Sequence, residues 1–237
     1  MKLSHSVSYR FIILILICIA IAGYSFFYFY QTSDIFHSAN DFTVVLDAGH
    51  GGEDPGKVSA SGVKEKDINL AITLKCKSVL EQNGIRVILT RDTDCSLEAS
   101  SASNKKASDL KNRKLLITEN NPDCAVSIHQ NSFPDSAQHG AQVFYHPSSQ
   151  EGKQLASLIQ EQTVYLTSEE NTRKIKANSD YYLLRDNPIP TVIAEVCFLS
   201  NPSEAEMITD QAMQEKAAFA IAMGIMQYLY GSASLII

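Results

Sequence analysis

The chain has 237 residues and a formal net charge of −6, its 20 lysines and arginines scattered among 26 acidic residues. That balance lacks the basic stripe of a nucleic-acid binder and excludes nucleic acid as a partner. Five cysteines without a CxxC spacing argue against a dense disulfide framework, and none is assigned to metal or catalysis.

Arg10 precedes FIILILICIAIAGYSFFYFY, twenty residues without a charge, which at about 1.5 Å per residue cross a roughly 30 Å hydrocarbon core. Residues 1–30 are therefore expected to be a membrane anchor, with Lys2 and Arg10 on the cytoplasmic side. A cleaved signal peptide is the rival, because AIA at 20–22 resembles a cleavage site. Either way the remainder lies outside the cytoplasm, anchored or secreted. Residues 31–41 read as a polar tether and 42–231 as a single domain with a sizeable core.

TVVLD (43–47) is a β-branched strand broken by the glycine-rich loop AGHGGEDPG. A helix follows over 64–84, with Ile68, Ile72, Cys76, Val79 and Leu80 at helical spacing, Glu65 at its entrance and Gly84 at its stop. IRVILT (85–90) is the second strand, and the serine-rich 95–109 reads as a mobile surface loop before a helix with Asp109 as N-cap. Next come the strand CAVSI (124–128), the alternating AQVFY (141–145), a helix over 152–166, the basic TRKIKAN (172–178) as a solvated loop, and the strand TVIAE (191–195). Ser203 and Glu206 suggest a capping box opening a C-terminal helical region that Gly231 ends. Strands alternating with helices imply an α/β fold, a mostly parallel, mixed and twisted sheet with helices on both faces.

Three apolar strands end in, or just before, a residue able to bind metal or move protons: His50, His129 and Glu195. In an open α/β sheet the ligand site lies beyond the carboxyl ends of the strands, so the three can converge. Two histidines and a carboxylate suit a zinc ion that keeps one position open, with Glu65 as the third ligand. Glu195, a carboxylate closing a buried run, must be paired, ligating or facing a cleft, and fits a proton carrier.

At these residues the chain resembles the zinc-dependent N-acetylmuramoyl-L-alanine amidases. The segments that carry the likeness are VVLDAGHGGEDPG, GVKEKDINLAITLK, VILTRDTD, LKNRKLLITEN, CAVSIHQNS, HGAQVFYHP and IPTVIAEVCFLSNPSEAEMI, in family order. The resemblance implies one zinc ion per chain on His50, Glu65 and His129, Glu195 as the catalytic glutamate, and peptidoglycan as substrate, cut between the lactyl group of muramic acid and L-alanine. Arg113, at a family-matched position, is expected to meet a substrate carboxylate or a structural ion pair, and Asn131 to orient a ligand or loop.

The phrasing is most similar to the spore-cortex, CwlD type. That likeness implies work on the cortex before muramic-δ-lactam formation, in the space between forespore membranes, with a sporulation lipoprotein as partner. The alternatives are a vegetative wall autolysin, a zinc hydrolase of another bond, or an impaired protein that grips peptidoglycan or a partner without turnover. Two positions depart from the family: Ala48 stands where proline is usual and Cys197 where glycine is usual. Were φ positive at Cys197, the side chain would cost about 1 kcal/mol or more and displace Glu195.

Overall fold

Six strands, β1 (Thr43–Ala48), β2 (Arg86–Leu89), β3 (Cys124–Asn131), β4 (Gln142–Tyr145), β5 (Lys176–Ala177) and β6 (Thr191–Phe198), form one sheet in the order β2-β1-β3-β6-β4-β5. In this computed structural model, which describes residues 11–25, 42–164, 166 and 171–233, only the β4/β6 pair is antiparallel. The expected mixed, mostly parallel α/β sheet is what the chain forms.

Helix α1 (11–25) belongs to a unit of its own, exposed along its length. Among the described residues no helix is long and apolar enough to cross a membrane. Residues 26–30 of the expected anchor, its basic flank Lys2 and Arg10, and the tether 31–41 lie outside the described residues.

The second unit begins at Asp41. Alternation along the strands sends Val44, Leu46, Val126, Ile128 and Val192 to one face, where they pack with apolar residues of α2 (Glu65–Gln82), α4 (Gln150–Thr163) and α6 (Gln211–Ala233). Helix α6 lies against both α2 and α4. A Cβ on Gly224 of α6 would stand 2.6 Å from Ile159 Cα, so this glycine permits the close crossing with α4. Cys76, Cys124 and Cys197 are fully buried in this layer as free thiols.

The other face carries Val45 and Ala125 under Ile117 of α3 (Lys105–Glu119) and under Leu183 and Ile189 from the connection before β6. Phe144 and Ile193 continue it beneath Leu184 and Tyr181. Helix α3 starts earlier than expected: Asn104 caps it by accepting from Ala107 N, and Asp109 lies within the helix. Asp109 and Asn112 instead bind the main chain of Leu97, which ties the serine-rich stretch to the helix.

The short helix α5 (Pro202–Met207) is capped by Asn201, whose side chain accepts from Ser203 N and Glu204 N, rather than by a Ser203–Glu206 box. Helix α6 runs through Gly231 instead of stopping there. TRKIKAN is not all loop, since Lys176 and Ala177 pair with β4 at the sheet edge.

Candidate active site

His50, Glu65 and His129 come together at the carboxyl ends of β1 and β3, with ligand atoms all within 4.8 Å of one another. Glu65 is the first residue of α2. Its Oε1 lies 3.2 Å from His50 Nε2 and 3.0 Å from His129 Nδ1. The two rings meet edge to face, centroids 5.0 Å apart.

Burial alone would lower the pKa of His50, but its hydrogen bonds to Glu65 and Asp54 outweigh that and raise it to about 9. Burial likewise works against the Glu65 charge, and the two imidazoles overcome it and hold the carboxyl well below its ordinary value. An ionised carboxylate set between two imidazoles is a donor set that suits a divalent cation.

The backbone delivers these groups under constraint. His50 has φ 61°, an uncommon conformation for a residue with a side chain. Gly49 before it has no room for a Cβ, which would stand 2.2 Å from the His129 ring. Two buried arginines hold the loop. Arg113 donates to Ala48 O at 2.7 Å and His50 O at 2.6 Å, and Arg91 donates to Ala48 O at 2.9 Å and Gly49 O at 3.0 Å.

Below them Asp47, fully buried, accepts from Arg113, Thr90 and Ser127. Burial pushes its pKa up, yet Arg113 and the two hydroxyls prevail and lower it to about 2.

Further residues orient the ligands. Asp54 takes His50 Nδ1 at 2.8 Å, the carboxylate–histidine pairing that fixes a ring. Glu65 Oε2 accepts from Lys57 N at 2.8 Å and Oε1 from Gln130 N at 3.1 Å. Asn69, one turn along α2, bridges Glu65, Gly49 O and Gln130, and Gln130 accepts from the Cys197 thiol at 3.1 Å. Asp54, Asn69 and Gln130 were not singled out by motif. The one available signal was Asn69, a polar residue among apolar ones on the buried side of α2.

Glu195 lies beside His129 in the β3/β6 register. It is buried, and among the described residues its Oε2 has no hydrogen-bond partner. Burial raises its pKa to about 7, the His129 charge opposing and the Glu65 charge reinforcing the shift. A buried carboxylate oxygen without a partner is costly unless something outside the fold uses it.

Arg113 departs from one expectation. It is 1 % exposed, with Nε on Asp109 and its Nη atoms on Asp47 and main-chain carbonyls, so it is a structural ion pair with no donor left for a substrate carboxylate. Asn131 accepts from Ser132 N through its side chain and from Leu199 N through its carbonyl, and so orients its own loop. Cys197 sits where β6 gains one residue relative to β3 between the His129 and Asn131 pairings, and its φ is not positive. The strain expected of a side chain there is therefore absent, and Ala48 ends β1 fully buried.

A cavity of about 40 Å³ bordered by His50, His129, Asp54 and Leu183 opens beside these groups. Tyr181, edge-on to Phe144 at 5.4 Å, has its phenol pushed up to about 12 by burial and then by the charges of Glu195 and Glu65.

Residues 44–227 match the N-acetylmuramoyl-L-alanine amidase family. The chain is 36% identical over 188 residues to the germination-specific N-acetylmuramoyl-L-alanine amidase of Bacillus subtilis, covering 78% of each. Among solved structures it is similar to the CwlD amidase from Clostridioides difficile in complex with the GerS lipoprotein, at 45% identity and a TM-score of 0.77, over 80% of this chain and 99% of that one. The catalytic domain of CwlV, an N-acetylmuramoyl-L-alanine amidase from Bacillus (Paenibacillus) polymyxa, is 33% identical with a TM-score of 0.70, over 80% of this chain and 98% of that one. Length, segment order and the arrangement at the strand ends agree in one assignment: the chain belongs to the N-acetylmuramoyl-L-alanine amidase family.

Proposed function

We propose that the chain hydrolyses the amide joining the lactyl group of muramic acid to L-alanine in peptidoglycan, with one zinc ion per chain held by His50, Glu65 and His129 and with Glu195 as proton carrier. The observation that carries this reading is the pairing of a three-donor set within 4.8 Å with a buried, unpartnered carboxylate oxygen on the adjacent strand. Zinc on such a set supplies a Lewis acid for the carbonyl and lowers the pKa of water from about 15.7 to roughly 7.

The chain's own residues do the rest. Asp54 holds the His50 ring through Nδ1, and Lys57 N, Gln130 N and Asn69 hold the Glu65 carboxylate in place. Arg113 and Arg91 fix the loop carbonyls so that His50 keeps its strained conformation. Glu195 Oε2 takes the proton of the attacking water and returns it to the departing L-alanine amine.

Likeness to a germination-specific amidase and to an amidase whose structure is in complex with a lipoprotein supports a spore-cortex role, work outside the cytoplasm between the forespore membranes, and a lipoprotein partner. The charge-free run 11–30 supports attachment to a membrane. Because φ at Cys197 is not positive, the strain that would favour a non-catalytic, wall-gripping protein lacks support.

The test is incubation of the chain from Asn40 onward with defined muropeptides, with and without zinc, read by mass spectrometry and metal analysis. Zinc-dependent release of intact stem peptides is expected. Cleavage at another bond, or none by the zinc-loaded protein, refutes the assignment, and cortex set against vegetative wall as substrate separates the spore role from autolysis.

A further inference from the structure

The basic run 172–178 is put to two uses. Arg173 is spent inside the fold: Nε donates to His139 O and Nη2 to Gln138 Oε1, both at 2.6 Å, and the guanidinium lies 4.6 Å from the Phe198 ring centroid. Lys176 is not spent. It is exposed on β5, and among the described residues its side chain has no hydrogen bond or ion pair, only the Phe144 ring 5.9 Å beneath its Nζ.

Register places that ammonium on the catalytic side of the sheet. Lys176 pairs with Phe144, Phe144 with Ile193, and Gln142 with Glu195, so Lys176, Phe144 and Glu195 share one face. Two strand spacings of about 4.8 Å and two residues of about 3.3 Å separate the backbones of Lys176 and Glu195 by about 12 Å. A lysine side chain and a dipeptide of roughly 7 Å span that gap. Tyr181, edge-on to Phe144, makes the adjoining aromatic wall.

The chain carries a net charge of −6, so an anionic substrate gains nothing from the overall field and needs a local cation. An ammonium offers donors and no acceptor. Resting on the amidase reading above, we propose that Lys176, carried on the Phe144–Tyr181 wall, is a specificity-determining residue that pairs with a free carboxylate of the stem peptide, on the residue after L-alanine.

Two muropeptides test this, identical except that this carboxylate is free in one and amidated in the other. The zinc-loaded wild-type protein is expected to favour the free acid by about tenfold in kcat/KM, mainly through KM, as for loss of one charge-assisted hydrogen bond. Lys176→Gln is expected to bring that ratio to about one by raising KM for the acid. Lys153→Gln removes an equal charge from the outer surface of α4, on the opposite side of the sheet, and is expected to keep the ratio. An unaltered ratio in Lys176→Gln, or an equal narrowing in Lys153→Gln, overturns the proposal while leaving the amidase reading intact. Failure of the zinc-loaded wild-type protein to cleave either muropeptide overturns the amidase reading itself.

Discussion

The two faces of the sheet are built on opposite principles. Beneath α2, α4 and α6 the chain buries mainly aliphatic residues, alanines and thiols, whose mutual contacts are non-directional. Beneath α3 and the connection before β6 it buries Asp47 and Arg113 in a ladder of charged hydrogen bonds that ends at the loop bearing His50. The apolar layer tolerates repacking because it depends on volume. The ladder does not, because removing one member leaves another buried and unpaired. The first layer therefore makes the domain stable, and the second sets the position of a few atoms at its rim.

The largest effect should come from a residue that belongs to neither role. Glu195→Gln is expected to lose about 10²- to 10⁴-fold in turnover while bound zinc and the unfolding midpoint stay near wild type; a variant matching wild type in both zinc and turnover would falsify the proton-carrier role. Next, Arg113→Ala should cost about 3–5 kcal/mol in denaturant unfolding, since Asp47 loses its buried partner. A cost below about 1 kcal/mol would show that the ladder is dispensable.

Acid should reach the same ladder by titration. The native pKa of Asp47 is lowered to about 2, so its contribution of about 2 kcal/mol is whole above pH 4 and disappears as pH falls from about 4 to about 2. Asp47→Asn should flatten that part of the stability profile. The smallest effect is expected on the apolar face. Gly224→Val forces a branched side chain against the Ile159 backbone and should cost about 1–3 kcal/mol, with KM and zinc affinity preserved. A shift in KM larger than the shift in stability would mean that the two faces are coupled.

The same contrast explains what could be read from the chain alone. Periodicity reports burial, so the strands, the core helices and the rim positions His50, Glu65, His129 and Glu195 were accessible: each rim residue interrupts or ends an apolar pattern. Hydrogen-bond partnerships leave no periodic trace. Arg113 sits in a polar stretch of α3 that resembles a solvated surface, and only its pairing with Asp47, 66 residues away, shows it to be interior. Asp109 has the right chemistry for an N-cap, but Asn104 occupies that place and frees Asp109 for Arg113. At Cys197 the one-residue offset between β3 and β6 absorbs the geometry without a left-handed residue, which composition cannot foretell.

Under the proposed work outside the reducing cytoplasm, the three interior thiols have a consequence. Burial raises the pKa of Cys76, Cys124 and Cys197. Disulfide exchange and peroxide attack both proceed through the thiolate. Held protonated and out of solvent reach, these sulfurs are closed to oxidative cross-linking while the native packing lasts. The thiol that meets Gln130 behind Glu65 thus keeps its hydrogen for that bond even in an oxidising compartment.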